Sequence, residues 1–237
     1  MSIREYYALQ LQSLRDDLVR MGAKVEEMIE KALQSVLERD NLLAREVRRT
    51  DDVIDDMTTD LEHRCVELLA RQQPMASDLR LIFAVLKATT DLERLADCAV
   101  GIARKARRLN KLPPGEMVFD LAYYVQRVQR MLREALQAFV QHDIHLARQV
   151  AVQDEEIDDL YRDYSQRLVE SMKADPSQVE RGANFLLILR LVERMGDHAM
   201  NIAERIYYLE TGQELVIEAP DSEHGAIGAP SQSLPGG

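Results

Sequence analysis

The chain contains few of the residues that interrupt helices or form cross-links. Its 237 residues include no tryptophan, two cysteines, ten glycines and seven prolines. Four of the glycines and three of the prolines fall within residues 218–237. The preceding sequence is therefore typical of a helical protein with few breaks. Cys65 and Cys98 have no CxxC spacing, so they are predicted to be buried thiols rather than disulfide or zinc ligands.

Long apolar runs and common catalytic motifs are also absent from the sequence. Apolar runs such as residues 185–189 are far shorter than the roughly 20 residues that a membrane span needs. The first 17 residues contain no apolar signal-peptide core. HExxH, GxSxG and GxxxxGK[ST] do not occur, so no hydrolase or nucleotide site is predicted. We expect a cytoplasmic protein.

Acidic residues outnumber basic ones, 41 to 30, which gives a formal net charge of −11. Such a chain is repelled by nucleic-acid phosphates, so we expect no nucleic-acid partner. The one basic run, residues 104–111, falls at the end of a predicted helix, where cations interact favourably with the helix dipole.

An internal repeat organises the sequence. At an offset of 103 residues, DDVIDD (51–56) aligns with DEEIDD (154–159). At an offset of 100, ERLADCAVGIA (93–103) aligns with ERMGDHAMNIA (193–203). Such a repeat indicates a duplicated structural unit. We predict one repeat over residues 1–110, a second over 116–212, and a disordered tail over 213–237, whose composition cannot support a core.

Each repeat has the pattern of three long amphipathic helices, because apolar residues recur every three to four positions. We therefore predict an all-α fold of two tandem three-helix bundles with six antiparallel helices. Asp40 and Asp143 are expected in the first turn of each repeat, and Ser77 and Ser177 as helix caps. The predicted helices cover residues 8–39, 42–72, 76–109, 117–141, 144–173 and 177–210.

One acidic pair recurs at equivalent positions of the two repeats, as Glu93 with Asp97 and as Glu193 with Asp197. Glu93 and Asp97 are four residues apart and share a helix face. Asp55 lies 19 residues before Pro74 and Glu93 lies 19 after it, so the second and third helices bring them to the same level. The same folding predicts two groups of four carboxylates: Asp51, Asp55, Glu93 and Asp97 in the first repeat, and Asp154, Asp158, Glu193 and Asp197 in the second.

Crowded carboxylates either bind a cation or pair with basic side chains. Oxygen ligands suit hard ions such as Mg²⁺, Ca²⁺, Mn²⁺ or iron, and Asn201 adds an amide oxygen one turn after Asp197. The alternative is ion pairing, which would use Arg94, Arg104, Arg190 and Arg194. His198 is predicted to lie on the surface, and the absence of Glu-x-x-His pairs disfavours a di-iron carboxylate oxidase.

The segments RQQPMASDLRLIFAVLKATTDLERLADCAVGIA (71–103) and RLVERMGDHAMNIAE (190–204) resemble the tandem signatures of the PhoU family. The resemblance extends from about residue 5 to 215. It implies two three-helix bundles and a non-enzymatic negative regulator of phosphate uptake and of the phosphate-starvation response. The implied partners are the ATPase subunit PstB of the phosphate ABC transporter, the sensor kinase PhoR and a second copy of the chain, with membrane contact only through partners.

The resemblance also implies metal binding by a hard ion, with Mg, Mn, Fe and Zn as candidates. Ala96 and Gly101 replace the glycine and asparagine usual in the family, so the first site is expected to bind more weakly. A metal-dependent helical enzyme and a metal-free helical scaffold remain the alternatives. The implied ligands are Asp51, Asp55, Glu93, Asp97, Asp154, Asp158, Glu193, Asp197 and Asn201.

Overall fold

The computed structural model describes residues 2–216, and this part of the chain is helical with no β-strand. Most of the predicted tail, residues 217–237, lies outside the described residues, although Leu215 packs against the core. Between residues 2 and 216, no helix is both long and apolar enough to cross a membrane. The α-helices are α1 (Ile3–Leu37), α2 (Asn41–Gln72), α3 (Ala76–Leu109), α4 (Leu121–Gln141), α5 (Ile144–Val152), α6 (Asp154–Ala174) and α7 (Val179–Thr211), and a short 3₁₀ turn covers Pro176–Gln178.

Equivalent aspartates begin equivalent helices in the two repeats. The Asp40 carboxylate accepts backbone hydrogen bonds at the start of α2, and the Asp143 carboxylate does the same at the start of α5. The prediction for Ser77 and Ser177 was wrong. Helix α3 has no side-chain cap, and the carboxylate of Asp175 accepts from the Ser177 amide instead. Because Asp175 precedes a proline, its backbone is extended (φ −135°, ψ 98°), which brings its carboxylate to the helix start.

Two predicted helices have different bounds in the structure. The predicted fourth helix begins at Leu121 rather than at residue 117, because Asp120 caps it and Phe119 packs between the rings of the second bundle. The predicted fifth helix is divided into α5 and α6 at Gln153. The Gln153 amide is shared between two carbonyls of the preceding turn, and three acidic residues then occupy the first turn of α6, where the helix dipole favours them.

The two repeats pack side by side through their last helices. Helices α1 to α3 form the first bundle and α4 to α7 the second, and their buried apolar side chains form one continuous core. Helices α3 and α7 run antiparallel, since Arg80 near the start of α3 donates to the carbonyl of Leu209 near the end of α7 (3.0 Å). Cys65 and Cys98 are buried free thiols, as predicted.

Symmetric positions at the α3–α7 crossing carry different chemistry. A Cβ atom added to Gly101 would lie 2.8 Å from Cδ1 of Leu191, so this glycine permits close packing. The equivalent pair on the other side of the crossing is polar, because Asn201 donates to the carboxylate of Asp91 (3.4 Å). Gly101, which stands where the second repeat has Asn201, therefore permits close packing between the repeats.

Candidate functional site

The structure brings together the four acids of the first carboxylate cluster, defined as Asp51, Asp55, Glu93 and Asp97. Burial raises the pKa of Asp51, and the charges of Asp55 and Asp97 raise it further. Burial also raises the pKa of Glu93; Arg94 opposes this, and the other three acids of the cluster add to it. These mutual effects show that α2 and α3 present their carboxylates to a shared surface, as the hairpin spacing predicted.

The second carboxylate cluster, defined as Asp154, Asp158, Glu193 and Asp197, is less accessible to water. Burial raises the pKa of Asp154 to about 6, and the other three acids of this cluster contribute. Glu193 is buried, with 8% of its surface exposed. Its pKa is raised by burial and then by Asp197, against the effect of Arg190. A carboxylate in such surroundings is destabilised in its charged form.

Two oxygen atoms of the second carboxylate cluster lack hydrogen-bond partners. Within residues 2–216, Oδ1 of Asp154 and Oε2 of Glu193 are buried and accept no hydrogen bond. A Cβ atom added to Gly196 would lie 2.9 Å from Ile157 and 3.3 Å from Oδ1 of Asp154, so the glycine lets α6 approach α7 closely. Buried acceptors without donors are the groups that a cation would satisfy.

The carboxylates do not form a ready coordination shell. Across the described range, no three His, Cys, Asp or Glu side chains are arranged to hold a metal ion. Ion pairing satisfies part of the charge: Arg94 contacts Glu93 (3.3 Å) and Asp97 (3.0 Å), and Arg190 pairs with Glu193. Ion pairing is therefore prominent in the first cluster, and the unsatisfied oxygens of the described carboxylates are confined to the second.

The prediction that His198 lies on the surface was wrong. Its side chain is 18% exposed, and its Nδ1 lies 3.0 Å from the Asp91 carboxylate on α3. The Asn201 amide donates to the same carboxylate, so its nitrogen faces the first repeat. Helix periodicity places residues within one bundle, whereas these contacts arise from packing between bundles. The sequence did contain one signal for Asp91, since its counterpart in the second repeat is Leu191.

Comparison with known proteins places this geometry in a class of tandem helical-bundle proteins. The family model described as the PhoU domain matches residues 18–106 and 124–206. A "Phosphate-specific transport system accessory protein PhoU homolog" of Pseudomonas aeruginosa is 38% identical over 216 residues, covering 90% of this chain and 88% of the relative.

Two solved structures have the same fold. The crystal structure of PhoU from Pseudomonas aeruginosa superposes with a TM-score of 0.83 at 39% identity, covering 87% of this chain and 100% of that one. The phosphate transport system regulatory protein PhoU from Streptococcus pneumoniae gives 0.82 at 31% identity, with 89% and 100% coverage. The chain belongs to the PhoU family, and the resemblance and the all-α fold predicted from the sequence are confirmed.

Proposed function

We propose that this protein is a regulator of phosphate transport that lowers phosphate uptake and the phosphate-starvation response when phosphate is plentiful. The observation that carries the proposal is the tandem PhoU domain match over both repeats. Relatives that share more than a third of its residues over nine-tenths of the chain are named as accessory proteins of phosphate-specific transport. The proposed role is non-enzymatic, as expected of an accessory protein.

The proposed mechanism is that of a cytoplasmic adaptor between the PstB subunit of the phosphate transporter and the sensor kinase PhoR, acting as a homodimer. The two bundles contact each other through α3 and α7, which would leave separate surfaces for separate partners. Several large apolar side chains are exposed near the start of α3, including Met75, Leu79 and Phe83. Exposed apolar groups of this kind support protein contacts.

The regulatory proposal is tested in cells. Deletion of the gene is expected to raise expression of a phosphate-starvation reporter in phosphate-rich medium, and wild-type protein is expected to restore repression. The same strain carrying deletions of the transporter ATPase or the kinase shows whether the effect passes through those partners. An unchanged reporter in the deletion strain would contradict the proposal.

The second carboxylate cluster is proposed as the principal metal site, with Asp154, Asp158, Glu193 and Asp197 as ligands and Asn201 beside them. Its support is the pair of buried acceptor oxygens that receive no hydrogen bond in the described chain. A hard divalent ion would supply positive charge there and offset the repulsion among the carboxylates. The first carboxylate cluster, which is more exposed and paired with Arg94, is proposed to bind more weakly.

Metal analysis of purified protein tests this order of affinity. Glu193→Gln with Asp197→Asn is expected to lower the bound metal more than the matched pair Glu93→Gln with Asp97→Asn. Titrations with Mg²⁺, Mn²⁺, Fe²⁺ and Zn²⁺ after chelation identify the ion. If the purified wild type binds no metal, the metal-free scaffold is correct; if it binds metal that neither pair reduces, the carboxylate clusters are not the ligands. Either result leaves the regulatory proposal open to its own test.

A further inference from the structure

An arginine-lined groove lies beside the first carboxylate cluster, between α2 and α3. Its volume is about 420 Å³, within the range of small-molecule sites. Its lining includes two buried alanines, Ala44 and Ala103, together with Arg48, Arg104 and Arg107. Three arginines from two helices thus converge on one concavity.

Acidic groups do not pair directly with these three arginines in the described chain, although Arg104 lies near enough to Asp51 to lower the pKa of that carboxyl. Within residues 2–216, none of them forms a salt bridge or a side-chain hydrogen bond. The groove does contain Asp51 and Asp52, so its charge is not uniform. Because α3 runs from Val100 toward Arg107 while α2 runs in the opposite direction, the acidic residues lie at one end and Arg107 lies toward the other.

The helix dipole does not account for this arrangement. It favours cations in the last turn of a helix, which explains Arg107 on α3. Arg104 precedes that turn, and Arg48 lies in the amino-terminal half of α2, where the dipole gives a cation no benefit. The helix dipole, which the sequence analysis used to explain the basic run, therefore explains Arg107 but neither Arg104 nor Arg48.

The second repeat serves as an internal comparison. Applying the two repeat offsets, Arg48 corresponds to Ala151, Arg104 to Glu204 and Arg107 to Tyr207. The structure supports the match, because Arg104 lowers the pKa of Asp51 whereas Glu204 raises that of Asp154. The basic groove is thus a property of the first repeat and not of the shared fold.

We propose that the groove formed by Arg48, Arg104 and Arg107 is a binding site for a phosphoryl anion. The planar guanidinium group donates paired hydrogen bonds that match phosphoryl oxygens, and several such groups favour a multivalent anion. A soluble diphosphate and a phospholipid headgroup share this chemistry. The proposal does not rest on the proposed regulatory function. It does not require metal either, although Asp51 belongs both to the groove and to the first carboxylate cluster.

Calorimetric titration with pyrophosphate, in EDTA to remove bridging metal, tests the soluble form. The wild type is expected to bind it, and Arg48→Gln with Arg104→Gln is expected to weaken binding about 10-fold or more. The control is Arg20→Gln with Arg71→Gln, which removes equal charge from exposed positions of the same repeat, with Arg20 at 71% and Arg71 at 73% side-chain exposure. This control should bind like the wild type, and circular dichroism checks that all variants are equally helical.

Sedimentation with phosphatidylglycerol vesicles tests the lipid form, using the same three proteins. A soluble ligand is supported if the groove variant loses pyrophosphate binding and the control variant keeps it. A lipid headgroup is supported if the groove variant loses vesicle binding and the control variant keeps it. The proposal is overturned if the wild type binds neither probe. It is also overturned if the groove and control variants weaken binding equally, because the effect would then be general charge.

Discussion

The charged form of the Asp154 side chain is strongly disfavoured by its surroundings. Its carboxylate is half-buried near three other acids, and one of its oxygens accepts no hydrogen bond within the described chain. The pKa is raised from 3.8 to about 6, so the folded protein holds a proton that the unfolded chain releases between those values. The free energy of unfolding therefore falls as pH rises through this window. Above pH 6 the Asp154 carboxylate is charged in the folded state, so the metal-free protein is fully destabilised by it.

Asp154→Asn removes this charge and nearly preserves the side-chain shape. In EDTA we expect the variant to raise the free energy of unfolding by roughly 1 to 2 kcal/mol at neutral pH, allowing for partial exposure of the site. Near pH 4 the gain should largely disappear, because the wild-type carboxyl is then protonated. Urea unfolding at both pH values measures the difference.

Asp56→Asn, which changes an exposed acid on α2, is the control for a general charge effect. A gain of the same size in both variants, or a loss of stability in Asp154→Asn at neutral pH, would show that burial is not the cause. The same measurements repeated with bound metal should reverse the sign, since removing a ligand then weakens metal binding.

At the scale of helices, sequence periodicity predicted most of the elements and the shared faces of the acids. The hairpin register follows from two long helices with a proline between them, so Asp51 and Asp97 could be placed together before the structure was known. Local chemistry also identified Asp40 and Asp143, because a capping aspartate acts on its own helix. These features depend on residues that are near in sequence.

Features that depend on packing between helices could not be predicted in this way. An amphipathic stripe shows which face is covered but not which helix covers it, so the contact of His198 with Asp91 was missed. The break at Gln153 was also missed, because no proline or glycine marks it. Gly101 was interpreted as the loss of a ligand and of helix support, whereas its packing role depends on Leu191 of the other repeat.

A double-mutant cycle measures this contact between α3 and α7. Glycine within a helix costs about 1 kcal/mol relative to alanine. We expect Gly101→Ala to gain this amount in a Leu191→Ala background, where the space is free. In the wild-type background the added Cβ meets Cδ1 of Leu191, so the gain should be cancelled, giving a coupling of about 1 kcal/mol.

Leu187→Ala provides the control background, because Leu187 is half-exposed one turn earlier on α7. Gly101→Ala should show no coupling with it. Urea unfolding of the single and double variants gives the free energies. Additive effects of Gly101→Ala and Leu191→Ala would show that the glycine is not required for close packing of the repeats.

At the scale of the whole molecule, the two repeats share one core, and we expect them to unfold as one cooperative structure rather than as two independent bundles. The core is continuous across the repeats, and the long central helices α3 and α7 contact each other as well as their own bundles. Additional polar contacts cross the boundary, including Gln129 with Glu30 (3.1 Å). Unfolding one repeat would expose the apolar face of the other to water, at a large cost in free energy.

The absence of tryptophan allows this cooperativity to be tested with one probe in each repeat. Phe83→Trp and Tyr123→Trp introduce fluorophores at exposed positions of the first and second bundles. We expect each variant to give a fluorescence transition in urea that coincides with its own loss of helical circular dichroism. Because all described helices would unfold together, the slope of free energy against urea should also match exposure of both repeats. A fluorescence midpoint that departs from the helical one, in opposite directions for the two variants, would instead show that the bundles unfold separately.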